Sequence, residues 1–146
     1  MTEIKTTTEE LLQFVYKNSE MGIVTIDQLL GIVKDKEFRE QLETQRKEYG
    51  EICREAKELL NENGVDEKGL NAFQKVRSYL MIDMGTMADK SVSHIAEMMM
   101  IGSNMGVIKS LQNLRRNKDA EPKITALMER LHKTEENNVQ QLKKFL

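Results

Sequence analysis

Four stretches of this chain carry apolar residues at helical spacing, and a single Pro in 146 residues leaves them nearly uninterrupted. Residues three and four apart share a helix face, so each stretch is committed to a helix that must bury one side. The first runs through Leu11, Leu12, Val15, Gly22, Ile26, Leu29, Leu30 and Val33. The second carries Phe38, Leu42, Gln45, Tyr49, Ile52, Ala56, Leu59 and Leu60 on one face. A third, from Ser91 to Asn117, is apolar over most of its circumference. The last holds Ile124, Leu127, Met128, Leu131, Val139, Leu142 and Phe145. Each is about 25–28 residues long, or roughly 40 Å of helix.

Local signals set the ends. Thr7 and Glu10 have the spacing of a capping box, which predicts a first helix over Thr8–Val33. Lys34-Asp35-Lys36 reads as a tight turn, with Asp35 as the N-cap of the second helix. Asn63-Gly64 stops that helix, because both residues accept the left-handed conformation. Val65–Gly69 is a short connection. Leu70, Phe73, Val76, Leu80, Met84 and Met87 then predict a shorter helical segment, broken at Gly85 and Asp89. Asn117-Lys118-Asp119 is a turn, and Pro122 belongs in the first turn of the last helix, where its missing amide costs nothing. The whole chain, 1–146, is thus expected to be one all-α domain. Tight turns make two antiparallel hairpins, and a helical crossover joins them, giving five helical segments in total.

Composition narrows the function. A net charge of -2 argues against a dedicated nucleic-acid binder, and 5% aromatic residues disfavour base stacking. One Cys excludes a disulfide framework and a Cys-cluster zinc site. No apolar run is long enough to span a membrane. Met1-Thr-Glu-Ile-Lys lacks the apolar core of a signal peptide, so a cytoplasmic location is expected. Cys53, between Ile52 and Ala56, reads as a buried structural thiol. The basic cluster Leu114-Arg-Arg-Asn-Lys118 suits the negative end of a helix dipole.

Seven methionines fall between Met81 and Met105: Met81, Met84, Met87, Met98, Met99, Met100 and Met105. Flexible thioethers fill irregular gaps, so the segment reads as a tightly packed central helix, although thioethers also suit Cu(I). Gly102 and Gly106 let a neighbouring backbone approach. His94, Glu97 and Asn104 make a polar stripe on this helix, expected to find partners inside the bundle. Phe14, Met21, Ile23 and Val24, with Met100, Val107, Leu111 and Leu114, lie off the main stripes and offer a face for self-association.

The order and length of the helices resemble the ferritin-like superfamily, including the small uncharacterised bacterial bundles grouped with it. The resemblance implies a four-helix bundle with a crossover. In active members it also implies a carboxylate on two helices and Glu-x-x-His on the other two, around iron or manganese. The matching positions are Glu20; Glu48-Tyr-Gly-Glu51, with Glu in place of His; Glu97 beside His94; and Glu129-Arg-Leu-His132. A helical wheel turns Glu20 and Glu129 roughly 140° from the core stripes and points Ser19, Gln45, Glu135 and Asn138 inward instead. The leading expectation is a non-catalytic bundle, with no cofactor, acting through dimerisation or a protein partner. The alternative is a divergent metal-binding or di-iron redox protein, with His94 and Glu97 as ligands and Glu20, Glu48, Glu51 or His132 completing the shell.

Overall fold

The computed structural model describes residues 2–67 and 89–146. Every regular element among them is helical: α1 (Thr2–Leu30), α2 (Lys36–Glu62), α3 (Val92–Arg116) and α4 (Pro122–Leu142), with a 3-10 turn at Lys143–Phe145. The expected crossover helix, Leu70–Met87, lies outside the described residues together with Met81, Met84 and Met87.

α1 packs along α2, α3 packs along α4, and α4 also touches both α1 and α2. The two short links, 31–35 and 117–121, make each pair an antiparallel hairpin. Four contacts fix how α4 and the 3-10 turn that follows it lie on α2. Arg130 meets Glu55, Tyr49 meets Glu135, Lys144 meets Glu37 at 3.0 Å, and the Phe145 ring lies 4.8 Å from that of Phe38. Numbers rise along one helix as they fall along the other, so the two run antiparallel.

Most ends form as their sequence dictates. Asp35 Oδ1 accepts from the Phe38 amide at 2.8 Å, and Ser91 Oγ accepts from the His94 amide at 3.2 Å. Pro122 opens α4, and Gly64 adopts φ +73° just beyond α2. α1 departs from expectation at both ends. It starts at Thr2, so the Thr7–Glu10 spacing lies within a helix; residues three apart are also ordinary neighbours on a helix face. It stops at Leu30, where Arg39 reaches back and donates to the carbonyls of Leu30 (2.6 Å) and Val33 (2.8 Å). The guanidinium thereby satisfies carbonyls that the end of a helix leaves open.

The core combines Leu12, Val15, Ile26 and Leu29 with Phe38, Leu42, Ile52 and Leu60, and closes with Ile95, Met99, Ile124, Met128 and Leu131. Burying each such side chain contributes about 1.5–3 kcal/mol. α3 contributes differently. Ala96, Gly102, Ser103, Gly106 and Ser110 are among its buried residues, so it approaches the bundle largely on small side chains.

A close approach also governs the α1–α2 pair. The Tyr49 ring lies against Gly22, where an added Cβ would sit 2.6 Å from it. Replacing Gly22→Ala is therefore expected to lower stability by about 2 kcal/mol in chemical denaturation. Gly50→Ala, whose new methyl meets nothing within 4 Å, should instead raise stability by about 0.5–1 kcal/mol through the better helix propensity of Ala.

Candidate functional site

The inward stripe of α4 runs through Ile124, Leu127, Met128 and Leu131 and then reaches Glu135 and Asn138. Helical periodicity thus carries a carboxyl group into the core, where Glu135 is 2% exposed. All four helices bring a hydrogen-bond donor to it. Asn18 of α1 donates to Oε2 at 3.1 Å. Tyr49 of α2 donates its phenol proton to Oε1 in a short bond. Ser103 of α3 donates to Oε1 at 3.3 Å, and Asn138 of α4 reaches Oε1 at 3.5 Å and the Tyr49 oxygen at 3.1 Å. Gly106 completes the enclosure: a Cβ there would overlap the carboxyl group.

Burial raises the Glu135 pKa above the ordinary carboxyl range, and the bonds from Tyr49, Asn18, Ser103 and Asn138 oppose that rise without cancelling it. The folded chain therefore holds this proton more tightly than the unfolded chain does. The stability this contributes is full below the unfolded pKa and is lost as pH rises through the folded value. Glu135→Gln removes the titration. Relative to the parent, it should grow more stable as pH is raised from about 4 to about 8, measured by denaturant midpoints across that range. A constant difference between the two proteins would contradict the assignment.

The expected metal ligands are placed in separate locations. Glu48 and Glu51 point from α2 to Arg130 on α4, whose guanidinium bonds them at 2.9 Å each and Glu55 at 3.2 Å. Three carboxylates on one face of α2 are thus bridged by a single cation from α4. His132 turns toward α3, where Nδ1 meets Ser110 Oγ at 3.1 Å and Nε2 pairs with Glu136. Glu129, the other half of its Glu-x-x-His, is exposed. Glu20 sits half-buried on α1, near Tyr16 and Cys53, whose pKa values are raised first by burial and then by neighbouring charges that include Glu20. His94 and Glu97 lie 3.9 Å apart near the start of α3. Among the described residues no group of three or more His, Cys, Asp or Glu side chains is placed to hold a metal ion.

Two sequence expectations for α3 are corrected by its packing. Glu97 and Asn104 are exposed, and His94 is only half-buried, so the polar stripe faces outward rather than into the bundle. The large apolar residues follow it: Ile101 (55%), Met105 (44%), Ile108 (55%) and Leu111 (38%) are exposed, whereas Met100, Val107 and Leu114 are half-buried. The physical reason is the closeness of α4. Beyond Met99 it is Ser103, Gly106 and Ser110 that meet α4, and the bulky residues on the opposite side of the helix turn outward. Cys53 is partly rather than fully buried; burial, and secondarily Glu20, push its thiol up to about 11, which keeps it protonated and unreactive at neutral pH.

The wheel identified Ser19, Gln45, Glu135 and Asn138 as inward, and all four are buried. It missed Tyr49 as the partner of Glu135, Asn18 as a second, and Arg130 as a clamp. Each of those pairings joins residues more than 70 positions apart. No known protein family, characterised protein or solved structure matches this chain. None of the described helices is long and apolar enough to cross a membrane.

Proposed function

We propose that the chain is a cytoplasmic, ferritin-like helical bundle that works without catalysis, by pairing with a second copy of itself through the outer face of α3. The observation that carries this reading is the row of exposed Ile101, Met105 and Ile108, with Leu111 at its edge. Steps of four and three residues are the spacing of a helix–helix seam.

The charges at the two ends of the row favour a second copy over an unrelated partner. At about 100° per residue, Glu97 and Arg115 both lie within roughly 40° of the direction of Ile101. The stripe therefore reads acid, apolar, apolar, apolar, base. Two such stripes laid antiparallel about Met105 and Ile108 set each Glu97 against the other copy's Arg115. This is the self-complementarity that a twofold interface requires. Among the described residues Arg115 forms no ion pair, and Glu97 meets only His94. Beside the row, Val107, Leu111, Val139 and His132 border a groove of about 360 Å³ that can receive a partner side chain. The ferritin-like assignment is supported by two long hairpins, α1–α2 and α3–α4, joined through residues 63–91.

Sedimentation velocity from micromolar to near-millimolar chain should show a monomer–dimer equilibrium. Ile101→Glu with Ile108→Glu should give a monomer of unchanged helical circular dichroism. Glu97→Arg should weaken the dimer, and adding Arg115→Glu should restore it. A parent chain that stays monomeric throughout, or a dimer indifferent to these changes, would assign the face to another occupant and refute the proposal.

A further inference from the structure

We propose that the interface between two copies runs from α3 onto α4, where His132 of each copy faces Glu136 of the other, and that the proton on His132 governs how tightly the copies close. The inference rests on the twofold pairing through the outer face of α3 and adds a second set of contacts to it. Ser103 meets Glu135, and Ser110 meets His132. The stretch Met105–Ile108 of α3, on which the twofold is centred, therefore lies level with the turn of α4 between His132 and Glu136. The axis that sets Glu97 against the partner's Arg115 also sets His132 against the partner's Glu136. These two pairs come from different helices and share one axis. Leu111 joins the two surfaces: it belongs to the exposed row and also to the lining of the α3–α4 groove, which His132, Glu136 and Gln140 border from α4. A copy seated on the row thus covers the groove as well.

The ring of His132 is held so that its charge changes while its place does not. Ser110 Oγ lies 3.0 Å from the Val107 carbonyl and 3.1 Å from His132 Nδ1, and Nε2 pairs with Glu136. With both ring nitrogens protonated, Nδ1 donates to Ser110, Ser110 donates to Val107, and Nε2 donates to Glu136. With a neutral ring, Ser110 turns its proton to Nδ1 and the bond from Nε2 is kept. α3 presents Ser110, Asn104, Val107 and Leu111 to the ring, all uncharged. Glu129 and Lys133, its neighbours on α4, are exposed and border the groove toward α2. α1 and α2 reach α4 elsewhere, through Asn18 and Tyr49 at Glu135 and through Glu48, Glu51 and Glu55 at Arg130. In the closed pair, the two His132 and two Glu136 side chains sum to zero charge when the rings are protonated. When the rings are neutral, two carboxylates remain together, withdrawn from water and without a cation, which opposes closure. The dimer therefore holds the His132 protons more tightly than the monomer does. The tightening is full at low pH and is lost as pH rises through the range in which histidines titrate.

The test is sedimentation velocity of the full chain in EDTA, from micromolar to near-millimolar, at about pH 6 and about pH 8. The parent should dimerise at least about tenfold more tightly at the lower pH. His132→Gln should remove that dependence. His94→Gln should keep it, which separates this site from the histidine beside Glu97. Glu136→Gln, at an exposed position, removes the carboxylate that a neutral ring leaves uncompensated, so its dimer at the higher pH should be tighter than the parent's. A dimer with the same constant at both pH values, or one whose dependence survives His132→Gln, overturns this inference and leaves the pairing through α3 standing. A chain that stays monomeric at both pH values overturns the two together.

Discussion

A single carboxyl group, that of Glu135, holds hydrogen bonds from all four helices, and the arrangement of the bundle turns on it. Apolar contacts between helices tolerate sliding and rotation, because one buried Leu packs about as well against another. A buried carboxyl does not. Displaced from Tyr49, Asn18 or Ser103, it would remain in the core with open valences, at a cost of about 1–3 kcal/mol for each lost bond. Burial by itself disfavours such a group, so its contribution lies less in net stability than in selecting one packing among many. Two glycines are part of the same device. Gly22 admits the Tyr49 ring, and Gly106 leaves room for the carboxyl.

This constraint reaches the molecular surface through α3. For Ser103 to meet Glu135, α3 must lie close on α4, and closeness demands small residues at the contact. Once Ala96, Gly102, Ser103, Gly106 and Ser110 face inward, helical geometry leaves Ile101, Met105 and Ile108 facing outward. The apolar seam on the outside is thus a geometric consequence of the polar centre inside. On another side of α4, Arg130 performs a complementary task. It gathers Glu48, Glu51 and Glu55 of α2, which would otherwise repel one another along a single helix face. Each of these partly exposed pairs contributes little alone; together they fix the same register that Tyr49 and Glu135 fix from within.

Much of the helical framework is legible in the sequence, because caps and periodicity are local. Asp35, Asn63-Gly64, Ser91 and Pro122 mark ends by chemistry that acts within four residues. The inward direction of Glu135 and Asn138 follows from their own helix alone. What they touch does not: the partners of Glu135 stand 117, 86 and 32 positions away in the chain. Glu48 and Glu51 illustrate the same limit. As residue types they suit a metal, and only the position of Arg130 assigns them to a cation of the chain itself. α3 misleads the wheel for a different reason. A helix apolar nearly all round has no clear inner face, so the choice passes to residue size, which hydrophobic periodicity does not register.

A double-mutant cycle tests most directly whether Tyr49 and Glu135 act as one unit. The stabilities of the parent, Tyr49→Phe, Glu135→Gln and the double variant are measured by denaturant unfolding at neutral pH. A shared bond at the crossing of four helices should give a coupling energy of at least about 1 kcal/mol. Effects that add to within about 0.3 kcal/mol would mean that the two side chains act independently and that the packing of the bundle does not turn on their bond.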